Sequence, residues 1–233
     1  MSAKRHPRVS DVAAAVIVYV ALHFALEVAL PSRFGDANRD PQGFLLAAVI
    51  DGLLLACIPV FFLLRIYSEP LSAFGLSMRR FTVASLCGTA VGVALSAAGF
   101  VYAQVLGWLG SYAENPYIDL FRESNSPGLR ASAILVAVVL APIAEELFFR
   151  AFVFSVVRLV TSTKLAFAIS STLFALAHFS VEWFIVNWLF GAILAALLQR
   201  TGSLVAPIAG HMTLNAVGLI SALVLGGEVE ELR

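Results

Sequence analysis

The sequence predicts an all-α fold, a polytopic bundle of about seven or eight transmembrane helices, and three observations predict it. The chain is 60% hydrophobic and only 13% charged, with a mean hydropathy of +0.91. A soluble globular chain is nearer half apolar and a quarter charged. The apolar residues fall into seven runs, most of them near the ~20 residues that cross a ~30 Å hydrocarbon core. Lys and Arg gather on alternate connections, the asymmetry that orients membrane helices.

The first run, 12–30, follows Lys4, Arg5 and Arg8. It is long for a signal-peptide core, and Glu27 and Leu30-Pro31 do not resemble a small-residue cleavage site, so it reads as a first membrane helix. The second is 43–64, with Pro59 near its end. The third, 81–106, carries Gly88, Gly92 and Gly99 among other small residues, which let a neighbouring helix approach closely. A polar loop with Asn115-Pro116 and Ser126-Pro127 breaks leads to the fourth, 130–160. The fifth, 165–179, is short for a span; the sixth is 182–198 and the seventh 204–225. Residues 1–233 read as a single integral membrane domain, without a repeat or a linker.

With seven spans, Arg65, Arg79, Arg80, Arg158, Lys164 and Arg200 share the side of the basic N-terminus. The opposite loops hold Arg33, Arg39, Arg122 and Arg130, diluted by Asp36, Asp40, Glu114, Asp119 and Glu123. The N-terminus is therefore expected in the cytoplasm and the acidic tail, 228–233, outside. A formal net charge of zero argues against a nucleic-acid partner. Cys57 and Cys87 lie in separate runs and read as small buried residues rather than a disulfide or a metal site.

The fourth run contains the costliest residues in the chain. Glu145, Glu146 and Arg150 interrupt a long apolar stretch, and each ion near a helix centre costs roughly 2.5–3.5 kcal/mol on insertion scales. Glu146 and Arg150 are four apart and can pair on one helix face. Glu145 is turned by about 100° from its neighbour and needs another partner. His178 follows in the fifth run, and His211 and Asn215 stand four apart in the seventh. Taken singly, each is an ordinary packing contact. Taken together, polar groups on separate apolar helices have no water to solvate them and are best served by one shared cavity. A carboxylate, two imidazoles and a carboxamide suffice for hydrolysis. Glu145 would deprotonate a water, one imidazole would orient it or move its proton, and the other with the Asn215 amide would stabilise an oxyanion. The Glu146–Arg150 pair would hold the helix in place.

Glu-Glu-x-x-x-Arg, then Phe-x-x-x-His, then His-x-x-x-Asn, each in its own apolar run and in that order, resembles the CPBP or Abi family. These are intramembrane glutamic endopeptidases similar to the type II CaaX prenyl endopeptidases. The resemblance covers about 129–226. It implies an all-helical bundle and a metal-independent protease that cuts a membrane-associated or lipidated protein or peptide. It also implies Glu145 as the water-activating carboxylate with His178, His211 and Asn215 as the oxyanion site, and Glu146 and Arg150 in support. The membrane implied is the inner (plasma) membrane of a bacterium. No cofactor is expected; zinc held by two His and a Glu is the lesser variant, because there is no HExxH and the two His lie on different helices. A non-catalytic bacteriocin-immunity or scaffold role is the competing reading, and an uncompensated Glu145 argues against it. A proton-coupled transporter lacks the paired broken helices of that class.

The remaining polar residues are read as packing or interfacial groups, and alanine at Asp51 or His23 is expected to leave cleavage largely intact. His23 and Glu27 are four apart in the first run, and Asp51 lies within the second. Glu182, Trp183, Asn187 and Trp188 read as interfacial anchors.

Overall fold

The structure, a computed structural model, describes residues 4–29, 40–110, 117, 118, 120 and 124–230, without the side chains of 29, 222 and 225–230. Seven helices occupy these residues: α1 (Val9–Ala29), α2 (Pro41–Ile66), α3 (Phe81–Trp108), α4 (Pro127–Val160), α5 (Thr163–Leu176), α6 (Phe184–Thr201) and α7 (Val205–Glu230). Five of them, α1 to α4 and α6, are long and apolar enough to cross a membrane. The apolar parts of the other two, Thr163–Leu176 and Val205–Ser221, are shorter. The Asn115-Pro116 break, residues 231–233 and the loop charges Arg33, Asp36, Arg39, Glu114, Asp119, Arg122 and Glu123 lie outside the described residues.

Local chemistry sets the helix ends. Asp40 accepts a hydrogen bond from Gly43 N at 2.9 Å with Pro41 at the first helical position of α2. Ser126 does the same for Leu129 N ahead of Pro127 in α4, and Ser162 for Leu165 N in α5. These are the preferred N-cap and N1 residues, since both relieve backbone N–H groups that lack a helical partner. The fifth helix stops at Leu176 rather than 179, because Phe179 turns into the left-handed region at φ 47° and reverses the chain. His178 thus sits in the α5–α6 turn, and Ser180 Oγ accepts from Trp183 N to start α6.

The fourth helix runs through the middle of the bundle. It packs on α2, α5 and, near its end, on α1, while α3 and α7 form a long pair beside it. Its segment from Phe148 to Val157 is buried side chain by side chain, closed by Phe62 and Tyr67 against Phe152, with Phe74 stacked on Tyr67. Along Leu135–Leu140 and Glu146–Phe154 its backbone bonds reach from i to i+5, a wider helix than the usual one and one often found at functional sites. The α3–α7 pair is close because its contact lacks side chains. A Cβ on Gly88 would stand 2.1 Å from Ala206 O, and one on Gly92 2.4 Å from Gly210 O.

The N-terminal segment is tied to the end of α2. Arg5 N donates to Ile66 O at 2.9 Å and Ser68 N to Arg5 O at 3.1 Å. The Arg5 guanidinium grips both oxygens of Asp11, which also accepts from Tyr67 Oη at 3.1 Å. Burial, and then the charge of Asp11, push the Tyr67 phenol well above its usual range. Cys57 and Cys87 are unpaired, but they are exposed rather than buried, because an outward helix face turned to lipid accepts a small apolar residue as readily as a core does.

Candidate active site

Glu146 lies at the centre of the polar cluster. Its carboxylate is fully buried, with Oε1 2.8 Å from Arg150 Nη1 and 2.9 Å from His211 Nδ1. The predicted i, i+4 pair is present, and a second helix joins it through His211 of α7. Arg150 is also fully buried; it donates to Gly191 O of α6 at 3.4 Å and lies 4.2 Å above the Phe174 ring. One carboxylate and one guanidinium therefore bind α4 to α5, α6 and α7. Replacing either ion alone would strand the other in a low-dielectric interior.

Glu145 points elsewhere. Its Oε2 is buried without a hydrogen-bond partner among the described residues and lies 3.9 Å from His211 Nε2. That separation is too long for a direct bond, and a water beside it could be held by both groups. His211 is thus placed between the two carboxylates: Nδ1 donates to Glu146, and Nε2 faces Glu145. The other side of Glu145 opens on a cavity of about 230 Å³.

Asn215 stands one turn beyond His211 and donates from Nδ2 to Ala137 O of α4 at 2.9 Å. One of its two amide hydrogens is thereby committed, and the other remains for a ligand. His178 is exposed in the α5–α6 turn; its Nδ1 donates to Phe174 O at 2.8 Å, and its ring packs on Phe174 at 4.6 Å. This fixes the tautomer that leaves Nε2 as an acceptor. Among the described residues His178 makes no hydrogen bond to either carboxylate. The structure brings Glu145, Glu146, Arg150 and His211 together, sets Asn215 at their edge, and leaves His178 one aromatic ring away, since Phe174 touches both imidazoles.

The cavity contains residues that sequence reasoning assigned to packing. His23 of α1 and Asp51 of α2 line it with Glu145 and Tyr117. Asp51 accepts from Tyr19 Oη at 2.8 Å and from His23 Nδ1 at 2.7 Å. The expected His23–Glu27 contact exists but is the longer one, at 3.5 Å. Burial, with the negative charges of Glu145 and Asp51 nearby, pushes the Tyr117 phenol up to about 12. The signal was visible as ions within apolar runs; a partner 28 positions away was not. Of the expected anchors, Trp188 donates to Thr172 Oγ1 at 3.1 Å and Tyr102 Oη to Glu182 O at 2.5 Å. Both contacts join α6 or its approach to neighbouring helices.

The family model for type II CAAX prenyl endopeptidase Rce1-like proteins matches residues 127–217, which run from the start of α4 to just past Asn215. The chain is similar to "UPF0177 protein YxdF" of Lactococcus lactis subsp. lactis (strain IL1403), at 31% identity over 81 residues, 34% of this chain and 44% of that one. It is also similar to "Putative membrane peptidase YdiL" of Bacillus subtilis (strain 168), at 25% identity over 222 residues, 89% of this chain and 87% of that one. No solved structure matches. With five helices able to span a bilayer, this is an integral membrane protein, and its segment 127–217 resembles the type II CAAX prenyl endopeptidase Rce1-like family.

Proposed function

We propose that this chain is an intramembrane endopeptidase in which Glu145 activates the water that attacks a peptide carbonyl. The observation that carries the reading is the Glu145 carboxylate itself: one buried oxygen without a hydrogen-bond partner, facing His211 Nε2 at 3.9 Å, at the edge of a cavity. A bundle with only a scaffold role has no use for such a group, whose ionised form is expensive without a partner. Glu145 takes a proton from the water as its oxygen bonds to the carbonyl carbon. His211 donates its Nδ1 hydrogen to Glu146, so it serves the developing oxyanion only when Nε2 carries a second proton; in that form it and the Asn215 amide donate to the oxyanion. His178, with Nε2 as an acceptor, joins Glu145 in holding the attacking water, the role the family resemblance implies for it.

The substrate class is a membrane-associated or lipidated protein or peptide, supported by the prenyl endopeptidase family model and by the position of the site among apolar helices. The membrane is a bacterial inner membrane with the N-terminus in the cytoplasm, supported by Lys4, Arg5 and Arg8 ahead of α1. Metal-independent catalysis is part of the same proposal, and the chelator arm of the experiment tests it.

The test is a comparison of cells producing the wild-type chain or Glu145→Gln. Free amino termini of membrane proteins are labelled and sequenced. New termini are expected with the wild type alone, and purified wild-type protein added to membranes from Glu145→Gln cells forms the same termini whether or not a chelator is present during the incubation. Identical termini in the two cultures refute the hydrolase; termini whose formation a chelator blocks and zinc restores refute the metal-free site.

A further inference from the structure

Peptide hydrolysis needs an acid as well as a base, because an amine leaves as an anion unless its nitrogen is protonated. His178 is poorly placed for that role in this arrangement: its Nδ1–H is committed to Phe174 O and it lies in an exposed turn. The cavity beside Glu145 holds another imidazole. His23 and Asp51 come from two different helices, and both line the cavity that Glu145 lines.

The arrangement around His23 is specific. Asp51 uses Oδ1 for His23 Nδ1 at 2.7 Å and Oδ2 for Tyr19 Oη at 2.8 Å, so its plane is fixed by two helix-borne partners. The Tyr19 ring packs on His23 at 5.8 Å and on Phe148 at 5.9 Å. His23 Nε2 stands 3.5 Å from Glu27 Oε1. Each ring nitrogen thus faces a carboxylate oxygen, which suits a ring carrying two N–H bonds. Among the described residues, the charged or titratable groups around the ring include Asp51 from α2, Glu27 and Tyr19 from its own helix, and Glu145 and Tyr117 lining the same cavity. A clamp between α1 and α2 alone would not require a cavity on its inner side, nor a second carboxylate across it.

We propose that His23, held by Asp51, is the acid that protonates the departing amine, across the cavity from the base Glu145. The proposal rests on Glu145 being that base. In the first half of the reaction, water oxygen bonds to the carbonyl carbon and one water proton goes to Glu145. In the second, the C–N bond breaks, the nitrogen receives a proton from His23, and the products leave as a carboxylic acid and an amine. The proton held by Glu145 then passes through cavity water to His23, which restores both groups. Asp51 is a positioning residue: it sets the ring and balances its charge, and does not meet the substrate.

The experiment uses the full-length protein in proteoliposomes and two probes. One is an internally quenched peptide with a farnesylated cysteine in a CaaX end; the other is its thioester counterpart, with sulfur in place of the scissile nitrogen. A thiol ionises with a pKa of about 8.5, so the thiolate leaves without an acid. Glu145→Gln is inactive on both. His23→Gln loses roughly 10²-fold or more in kcat on the amide, keeps its KM, and cleaves the thioester at close to the wild-type rate. Asp51→Asn shows the same selective loss to a smaller degree, and guards against a His23 variant that does not fold. Equal losses on amide and thioester, or no loss on the amide, overturn the role of His23 while Glu145→Gln remains inactive. A wild-type protein that cleaves neither probe, or a Glu145→Gln variant that cleaves both, instead overturns the Glu145 reading and the His23 proposal with it.

Discussion

Glu146→Ala leaves a guanidinium without its counter-ion in the driest part of the molecule. Arg150 and Glu146 are both fully buried, with 2.8 Å between them. Without the carboxylate, Arg150 keeps one long bond to Gly191 O at 3.4 Å and the face of Phe174 at 4.2 Å, and His211 Nδ1 loses its acceptor at 2.9 Å. Stranding one member of a buried pair costs about 3–5 kcal/mol, more than a desolvated cation–π contact of about 2 kcal/mol offsets. The loss is measured by titrating the purified protein from mild micelles into SDS and following tryptophan fluorescence. Removing both ions, as Glu146→Leu with Arg150→Met, takes away the stranded charge as well, and the double variant is expected to be more stable than Glu146→Ala alone. A Glu146→Ala loss below about 1 kcal/mol, or a double variant whose loss equals the sum of the single ones, would refute the account of this cluster as one coupled unit.

Gly92→Ala puts a Cβ 2.4 Å from Gly210 O and 2.7 Å from Thr213 Cβ, so the α3–α7 pair must part and the protein lose about 1–3 kcal/mol in the same titration; Gly99→Ala meets only the Phe190 ring at 3.5 Å and serves as the near-neutral comparison. Asn215→Ala removes both the bond to Ala137 O and the proposed oxyanion donor, and is expected to lower kcat on the farnesylated peptide about 10²–10³-fold, with unchanged cleavage counting against an oxyanion role.

What could be read from the sequence was what depends on near neighbours. The Glu146–Arg150 pair follows from a spacing of four on one helix, and the exclusion of Glu145 from it follows from the same geometry. The runs of apolar residues gave the helices to within a few positions. The overrun at the end of α5 came from Phe179, whose left-handed backbone no hydropathy pattern reveals. Contacts between helices were out of reach. The partner of Glu146 on α7 is 65 positions away, and the commitment of Asn215 to a backbone carbonyl of α4 has no side-chain signature at all. His23 shows the limit most clearly. At a spacing of four, Glu27 was the partner that one helix could offer, yet Asp51 on the next helix is closer. That one change of partner moves His23 from the packing or interfacial role expected of it to the wall of the candidate site.

The widened stretches of α4 lie on both sides of Glu145, over Leu135–Leu140 and Glu146–Phe154. A helix wound this way holds more residues per turn than the ordinary 3.6, so the number of residues between Ala137 and Glu145 works as a vernier. Side chains there are replaceable one for one. Dropping a single residue from 135–140 is a different kind of change: unless that stretch relaxes to the ordinary winding and takes up the loss, it swings the two glutamates and Arg150 by about 100° around the axis. Chain length through those few residues, more than their chemistry, aims the carboxylates.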